Sequence, residues 1–501
     1  MKLYFQPEAA LWQPERYHYA AEQMMLTLFP GEKPEYPACP PHTLEEGPFA
    51  RFSLAREGER ALLTACVQWK GAQAEGRQPF PAGELEQSPE RVYHTIQHAV
   101  KLAFYQAGTA LLGQEPPWGA LTGVRPVKLP TRSMAAGASP EEAQIQLEQE
   151  YHVSPPRARL AVDCAKASLR ALSSLERNQV SLYIGIPFCP TRCAYCSFVS
   201  ADVGRTLKLL SPYVDTLLGE IDAMGRTLKE LGLSIRSFYM GGGTPTTLSP
   251  EQLDRLLSRC RKVLPLGQCT EYTVEAGRPD TITREKLEVL KRHQVERISI
   301  NPQTLEDHVL TAIGRRHTAR DILDAYALAR EVGFDCINMD LIAGLPEDSF
   351  EGFCRSLEGV LALTPENITI HTLALKKGSA LMEHAEKLPS GEETGRMLDF
   401  SRERLSELGY VPYYLYRQKY MSGSLENVGW ARPGTESLYN IIMMEELHTV
   451  VSLGGGGVTK LISPDRSRII RLTNPKYPHD YLTAQEKLEQ QRGEIAAFYT
   501  P

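Results

Sequence analysis

From residue 181 to residue 408 the chain alternates between short apolar or β-branched runs and longer stretches of helical periodicity. This alternation restricts the fold more than any single motif does. It predicts strands at 181–188, 235–240, 271–275, 297–300, 336–342 and 368–373. Helices are expected at 212–231, at 250–263 behind a Ser249 N-cap, at 283–293, over a long stretch ending at Val332, at 350–363 and at 392–408. Parallel strands need a crossover of a dozen or more residues, usually a helix, so six such units specify a parallel sheet with helices outside it. Six units are too few for a closed eight-stranded barrel. The expected fold class is therefore α/β, a partial (β/α)6 barrel of the TIM type, with its chemistry where strands end and loops begin.

The flanking regions read differently. Residues 1–175 are expected to form an α+β domain with a helical connector. They hold a hairpin at 49–69 turning at REGER, a helix from Ser88 and Pro89 to about Leu112, and helices opened by SPEE at Ser139 and SPP at Ser154. Residues 176–410 are the β/α series, and residues 411–501 are a small C-terminal α+β region expected to close the active site. That region carries YYLYRQKY, the strand-like ELHTVVSL, four glycines at 454–457 and a charged terminal helix.

Three cysteines, Cys189, Cys193 and Cys196, follow the first strand in GIPFCPTRCAYCSFVS. The other seven (Cys39, Cys66, Cys164, Cys260, Cys269, Cys336, Cys354) lack metal-ligand spacing and read as buried, reduced thiols. A structural zinc site usually takes four Cys or His ligands, and no histidine lies between His152 and His293. A redox pair of Cys193 and Cys196 would leave Cys189 unexplained. An iron–sulfur cube accommodates the triplet better, since three thiolates leave one iron open to a small chelating molecule. GGGTP ends the second strand, where backbone N–H groups can approach an anion, and Glu275 ends the third.

The C-x-x-x-C-x-x-C run, with an aromatic before its last cysteine and the β/α series behind it, resembles the radical SAM superfamily. SLYIGIPFCPTRCAYC, GGGTPT, VEAGRPDTIT, ERISINPQT, AIGRRHT and NMDLIAGLP are similar, in order and spacing, to the oxygen-independent coproporphyrinogen III oxidases and their haem-chaperone relatives. LTGVRPVKL and the segment from VPYYLYRQKY to NIIMMEE resemble the HemZ-type branch. The resemblance implies a [4Fe–4S] cluster on Cys189, Cys193 and Cys196, with S-adenosylmethionine (SAM) on the open iron. It further implies that Tyr183, Gly242, Glu275 and Ala374 line this SAM. Tyr195, Gly243, Thr244, Gln303, Arg315 and Asp340 match positions that hold a second SAM. The implied activity is oxidative decarboxylation of coproporphyrinogen III to protoporphyrinogen IX, with an electron donor such as a flavodoxin or ferredoxin. A haem chaperone, with His371 or His448 as candidate haem contacts, and a radical methyltransferase are the alternatives. Arg192, Arg417, Lys419 and Arg432 are candidates for the substrate carboxylates. The chain departs from the oxidase pattern at Phe198, where a further cysteine is usual, at Gly185, where histidine is usual, and at Asn301-Pro302-Gln303, where the oxidases read G-V-Q.

Composition excludes several other classes. A net charge of −6 is no footprint for nucleic acid, and no run approaches the roughly 18 apolar residues of a membrane span. The N-terminus lacks a basic segment followed by an apolar one, so a cytoplasmic protein is expected.

Overall fold

In a computed structural model the chain is described over residues 1–6, 12–37, 47–196, 201–374, 388–418 and 424–500. It divides into two compact units, one of residues 1–162 with 423–425 and one of residues 163–422 with 426–501.

In the first unit, strands β1 (Lys2–Phe5), β2 (Phe49–Glu57), β3 (Arg60–Trp69) and β4 (Ala72–Pro81) lie side by side in that order. The expected hairpin is β2–β3, with Glu57 opposite Arg60 across the Gly58-Glu59 turn. Helices α1 (His18–Leu28) and α2 (Pro89–Leu112) bury Met24, Met25, Phe104 and neighbours against the inward residues Phe52, Leu54, Leu63 and Val67. Ser88 caps α2 through the Arg91 N–H, and Gly113 ends it in a left-handed conformation. Helices α3 (Lys128–Ala135), α4 (Pro140–Tyr151) and α5 (Pro155–Ser173) follow, α4 behind a full capping box of Ser139 and Glu142.

The second unit contains the β/α series. Its elements are β5 (Gln179–Ile186), the short pair β6 (Phe188–Cys189) and β7 (Ala201–Asp202), α6 (Val203–Glu230), β8 (Ser234–Gly242) and α7 (Pro250–Val263). Next come β9 (Glu271–Gly277), α8 (Arg284–Arg292), β10 (Arg297–Ile300), α9 (Asp307–Ala312), α10 (Ala319–Val332), β11 (Cys336–Ala343), α11 (Phe350–Ala362), β12 (Asn367–Thr372) and α12 (Gly391–Glu407). The long helix expected before Val332 is two helices, because Gly314 at φ 78° breaks it and Thr318 starts α10 with its own capping box.

Strands β5, β8, β9, β10, β11 and β12 are parallel neighbours in that order, a partial (β/α)6 barrel. Side chains alternate across a strand, and here the two faces differ in kind. Leu182, Ile184, Phe238, Met240, Val274, Ile298, Ile337, Met339, Ile368 and Ile370 form the buried apolar face. The opposite face carries Tyr183, Tyr239, Glu275, Ser299, Asn338, Asp340 and Thr369, kept in step by the registers Tyr183↔Tyr239, Ser299↔Glu275, Ser299↔Asn338 and Asp340↔Thr369.

The C-terminal strands extend this same sheet at both edges. Strands β13 (Val411–Tyr416) and β14 (Asn427–Ala431) add antiparallel beyond β12, with β14 against it. After α13 (Leu438–Glu445), β15 (Val450–Gly454) pairs parallel with β5 at the other edge, followed by β16 (Val458–Ile462) and β17 (Ile469–Thr473). Helices α14 (Pro478–Leu482) and α15 (Gln485–Tyr499) end the described chain. Among the described residues no helix is long and apolar enough to cross a membrane.

Candidate active site

The end of β5 delivers the cysteine loop to the carboxyl ends of the neighbouring strands. Cys189, Cys193 and Cys196 are half-buried, outside any disulfide, on the wall of one cavity of about 380 Å³. Two groups from adjacent strands address their sulfurs. Thr244 Oγ1 donates to Cys189 Sγ at 3.5 Å, and Arg278 Nη1 lies 3.9 Å from Cys193 Sγ. The Ala194 N–H bonds to the Ile313 carbonyl at 3.0 Å and ties the loop to the GRRHT segment.

The glycine triplet at the end of β8 is needed for space. A Cβ on Gly243 would run into the Phe188 backbone, and Gly242 has φ 114°. Beside them Glu275 accepts from Tyr239 Oη at 2.5 Å and is half-buried in the cavity wall. Burial lifts its carboxyl to about 7, a rise that hydrogen bonds from Tyr239 and the Gly242 N–H moderate and the nearby Asp340 adds to. Behind this wall the rings of Tyr239 and Tyr439 stack with centroids 4.4 Å apart, and Tyr183 flanks both at 6.3 Å.

The far wall comes from β10, β11 and the loop after α9. Arg315 is buried, donating Nη1 to the Asn301 carbonyl at 2.6 Å and Nη2 to Tyr195 Oη at 3.2 Å. Gln303, at φ 69°, bridges to β11 by donating its N–H to the Asp340 carbonyl and accepting from the Ile342 N–H. Asp340 Oδ1 accepts from Asn338 Nδ2 at 2.7 Å, and His371 Nε2 lies 3.7 Å from its Oδ2. Burial would raise the Asp340 carboxyl, but these neighbours and Thr369 hold it below its usual range. Arg315 Nε and Asn301 Oδ1 are buried at this wall without a hydrogen-bond partner. Such orphaned groups are costly unless a ligand meets them.

Of the residues selected from sequence, all but Tyr183 line this cavity, Ala374 included. Tyr183 stands one ring behind, its hydroxyl 3.3 Å from where a Cβ on Gly242 would be. The four proposed carboxylate-binding cations do not share its place. Arg192 and Arg432 are exposed, Arg417 is buried without reaching the cavity wall, and Lys419 lies outside the described residues, as do Phe198 and Cys39. Among the described residues the arginines at the wall are Arg278 and Arg315. His371 faces the cavity, whereas His448 lies half-buried away from it, bonded to Ser181 at 2.8 Å, its pKa lowered by desolvation to about 4. The glycines at 454–457 pack beside β5 and not at the cavity: a Cβ on Gly185 would lie 2.5 Å from the Gly455 carbonyl oxygen. Of the other thiols, Cys164 and Cys260 are buried as expected, while Cys66, Cys269, Cys336 and Cys354 are half-buried. Sequence reading missed Tyr239, Arg278, Asn338 and the wall tyrosines Tyr414 and Tyr416. The signal for Tyr239 and Asn338 was their place on the inward face of alternating strands.

Among the described residues no three Cys, His, Asp or Glu side chains gather round a single metal-ion position. All three cysteines line the one cavity, with donors beside two of the sulfurs, and three thiols of one loop suit a multi-iron cluster with a position left open.

Comparison with known proteins agrees. The radical SAM superfamily model matches residues 183–357. The oxygen-independent coproporphyrinogen-III oxidase-like protein HemZ of Bacillus subtilis (strain 168) is 39% identical over 436 residues, 86% of each chain. The haem chaperone HemW of the same organism is 30% identical over 327 residues, 62% of this chain and 81% of HemW. Among solved structures, the coproporphyrinogen III oxidase HemN of Escherichia coli aligns with a TM-score of 0.51 over 65% of this chain and 73% of that one, at 23% identity, which shows a shared fold.

Proposed function

Because this chain belongs to the radical SAM superfamily and, within it, to the HemZ-type branch of the oxygen-independent coproporphyrinogen III oxidase family, we propose that it decarboxylates coproporphyrinogen III to protoporphyrinogen IX in the cytoplasm. The observation that carries the reading is one cavity lined by the three cysteines on one side and by half-buried Glu275 and Asp340 with buried Arg315 on the other. Cys189, Cys193 and Cys196 would hold a [4Fe–4S] cluster, which with SAM supplies a carbon-centred radical able to take hydrogen from an unactivated C–H bond. The protein's own share is binding, orientation and exclusion of water.

Glu275, beside the open backbone of Gly242 and Gly243, offers an acceptor for an ammonium group, and a cation there would draw its proton off. Arg315 presents an unpaired Nε to a carboxylate, and Asp340 an anionic acceptor to hydroxyls or an ammonium. These last two suit a second SAM in the same cavity. Each of the two propionate side chains converted loses carbon dioxide, one hydrogen atom and one electron on becoming a vinyl group, and the other two propionates are kept. The electron must leave to an external acceptor, and the electron consumed in cleaving SAM must come from a donor such as a flavodoxin or ferredoxin. Placement of the propionate decides which C–H bond is broken.

Haem delivery is the second reading, favoured by the HemW relatives. Against it stand the place of His448 away from the cavity, bonded to Ser181, and the engagement of His371 with Asp340. An anaerobic single-turnover assay decides between them, combining reconstituted protein, SAM, reductant, electron acceptor and coproporphyrinogen III. Tricarboxylated and then dicarboxylated porphyrinogen is expected, and none with Cys193→Ala. Formation of 5′-deoxyadenosine with the porphyrinogen intact would overturn the substrate assignment.

A further inference from the structure

Arg278 stands just past the end of β9, in GRPD. It is 3% exposed. Its guanidinium is divided between two duties. Nε and Nη2 grip Asp280 in a two-point contact at 3.0 and 2.8 Å. Nη1 crosses to the cysteine loop, donating to the carbonyl oxygen of Thr191 at 3.0 Å and to its hydroxyl at 2.8 Å, and lies 3.9 Å from Cys193 Sγ. Thr191 sits between Cys189 and Cys193, so one buried cation both anchors the gap between two thiols and faces the sulfur of the second. Arg315, the other buried cation among the described wall residues, reaches the loop through Tyr195 and also acts on Cys193, but among those residues it lacks a carboxylate partner that would make an opposite-sign pair like Arg278 and Asp280.

We infer that Arg278 sets the reduction potential of the cluster held by this loop, with Asp280 as the counter-charge that limits its effect. The inference rests on the radical SAM reading of the three cysteines and adds to it a positioning residue with a defined electrostatic task. Reducing the cluster adds one electron, taken from an external low-potential donor, to a group already negative through its thiolates. A fixed positive charge and an N–H aimed at a ligand sulfur stabilise the reduced form, and do so more strongly in a site shielded from water. Asp280 lies on the far edge of the same guanidinium and offsets part of that charge. The two residues must therefore act with opposite sign.

The test is anaerobic potentiometry of the reconstituted full-length protein, followed by the electron paramagnetic resonance of the reduced cluster, with iron content measured in parallel. Arg278→Gln is expected to leave about tenfold less cluster reduced at a fixed potential, equivalent to about 59 mV for one electron. Asp280→Asn is expected to move the midpoint the other way, and Arg278→Lys, which keeps charge but loses the fork, to fall between Arg278→Gln and wild type. Should Arg278→Gln fail to take up iron, Asp280→Asn alone decides: a raised midpoint supports the assignment and an unchanged one overturns it. Wild-type potentials in both variants, at wild-type iron content, also overturn it. Wild-type protein that takes up no cluster overturns instead the reading beneath it.

Discussion

Glu275 is a carboxyl group packed against Tyr239 and Asp340, where its charge is poorly solvated. Its proton is held to about pH 7 in the folded chain and lost near 4.5 in the unfolded one. Between these values the folded state binds more protons, so stability falls as pH rises through the window, by about 3 kcal/mol in total. Glu275→Gln cannot ionise and should lack this component. Chemical denaturation of both forms between pH 4.5 and 7.5, without ligand, should show the two curves diverging as the pH rises, and parallel curves would contradict the assignment. The cysteines and Glu275 were legible in the sequence through spacing and their places at strand ends, and Asp340 only through the family resemblance, since it stands inside β11. Arg278 was not, because its meaning depends on Thr191, 87 residues away in the chain. No local pattern records that meeting.

At the scale of elements, the strands announced themselves through alternation. VEAG, NMDLIA and NITIHT each place apolar residues on the helix-covered face and polar ones on the other. What alternation does not disclose is which edge a later strand will join, since an edge accepts any partner with suitable backbone geometry. The pairing of β15 with β5 is fixed by features outside both hydrophobic patterns. Tyr213 on α6 donates to the Gly185 carbonyl at 2.6 Å and accepts from the Gly455 N–H at 2.7 Å, wholly buried. Glu220, on the same helix, accepts from the Gly454 N–H and from Tyr481 Oη. Tyr213→Phe should keep the ring packing but strand the Gly455 N–H, lowering stability by about 1–3 kcal/mol. A urea titration would read this as a lower midpoint with an unchanged slope, and an unchanged midpoint would mean the bridge carries no weight.

For the whole molecule, the second unit cannot be cut at the end of its β/α series. Deleting residues 447–501 would remove β15 and leave β5 as an open edge. Such a chain should collect in the insoluble fraction, whereas a soluble product with the full-length circular dichroism spectrum would show that the six parallel strands suffice. The sequence identified those six strands but not this dependence, because β15 reads as a strand of some local hairpin until its partner is seen. The partner is β5, emitted from the ribosome some 270 residues earlier. Synthesis at about 5–20 residues per second therefore keeps the first strand waiting for its last neighbour for roughly 14–54 seconds. Through that interval the nascent chain presents an unpaired backbone edge directly upstream of three cysteines. A holding chaperone that covers this edge during translation would protect the fold and the cysteines together.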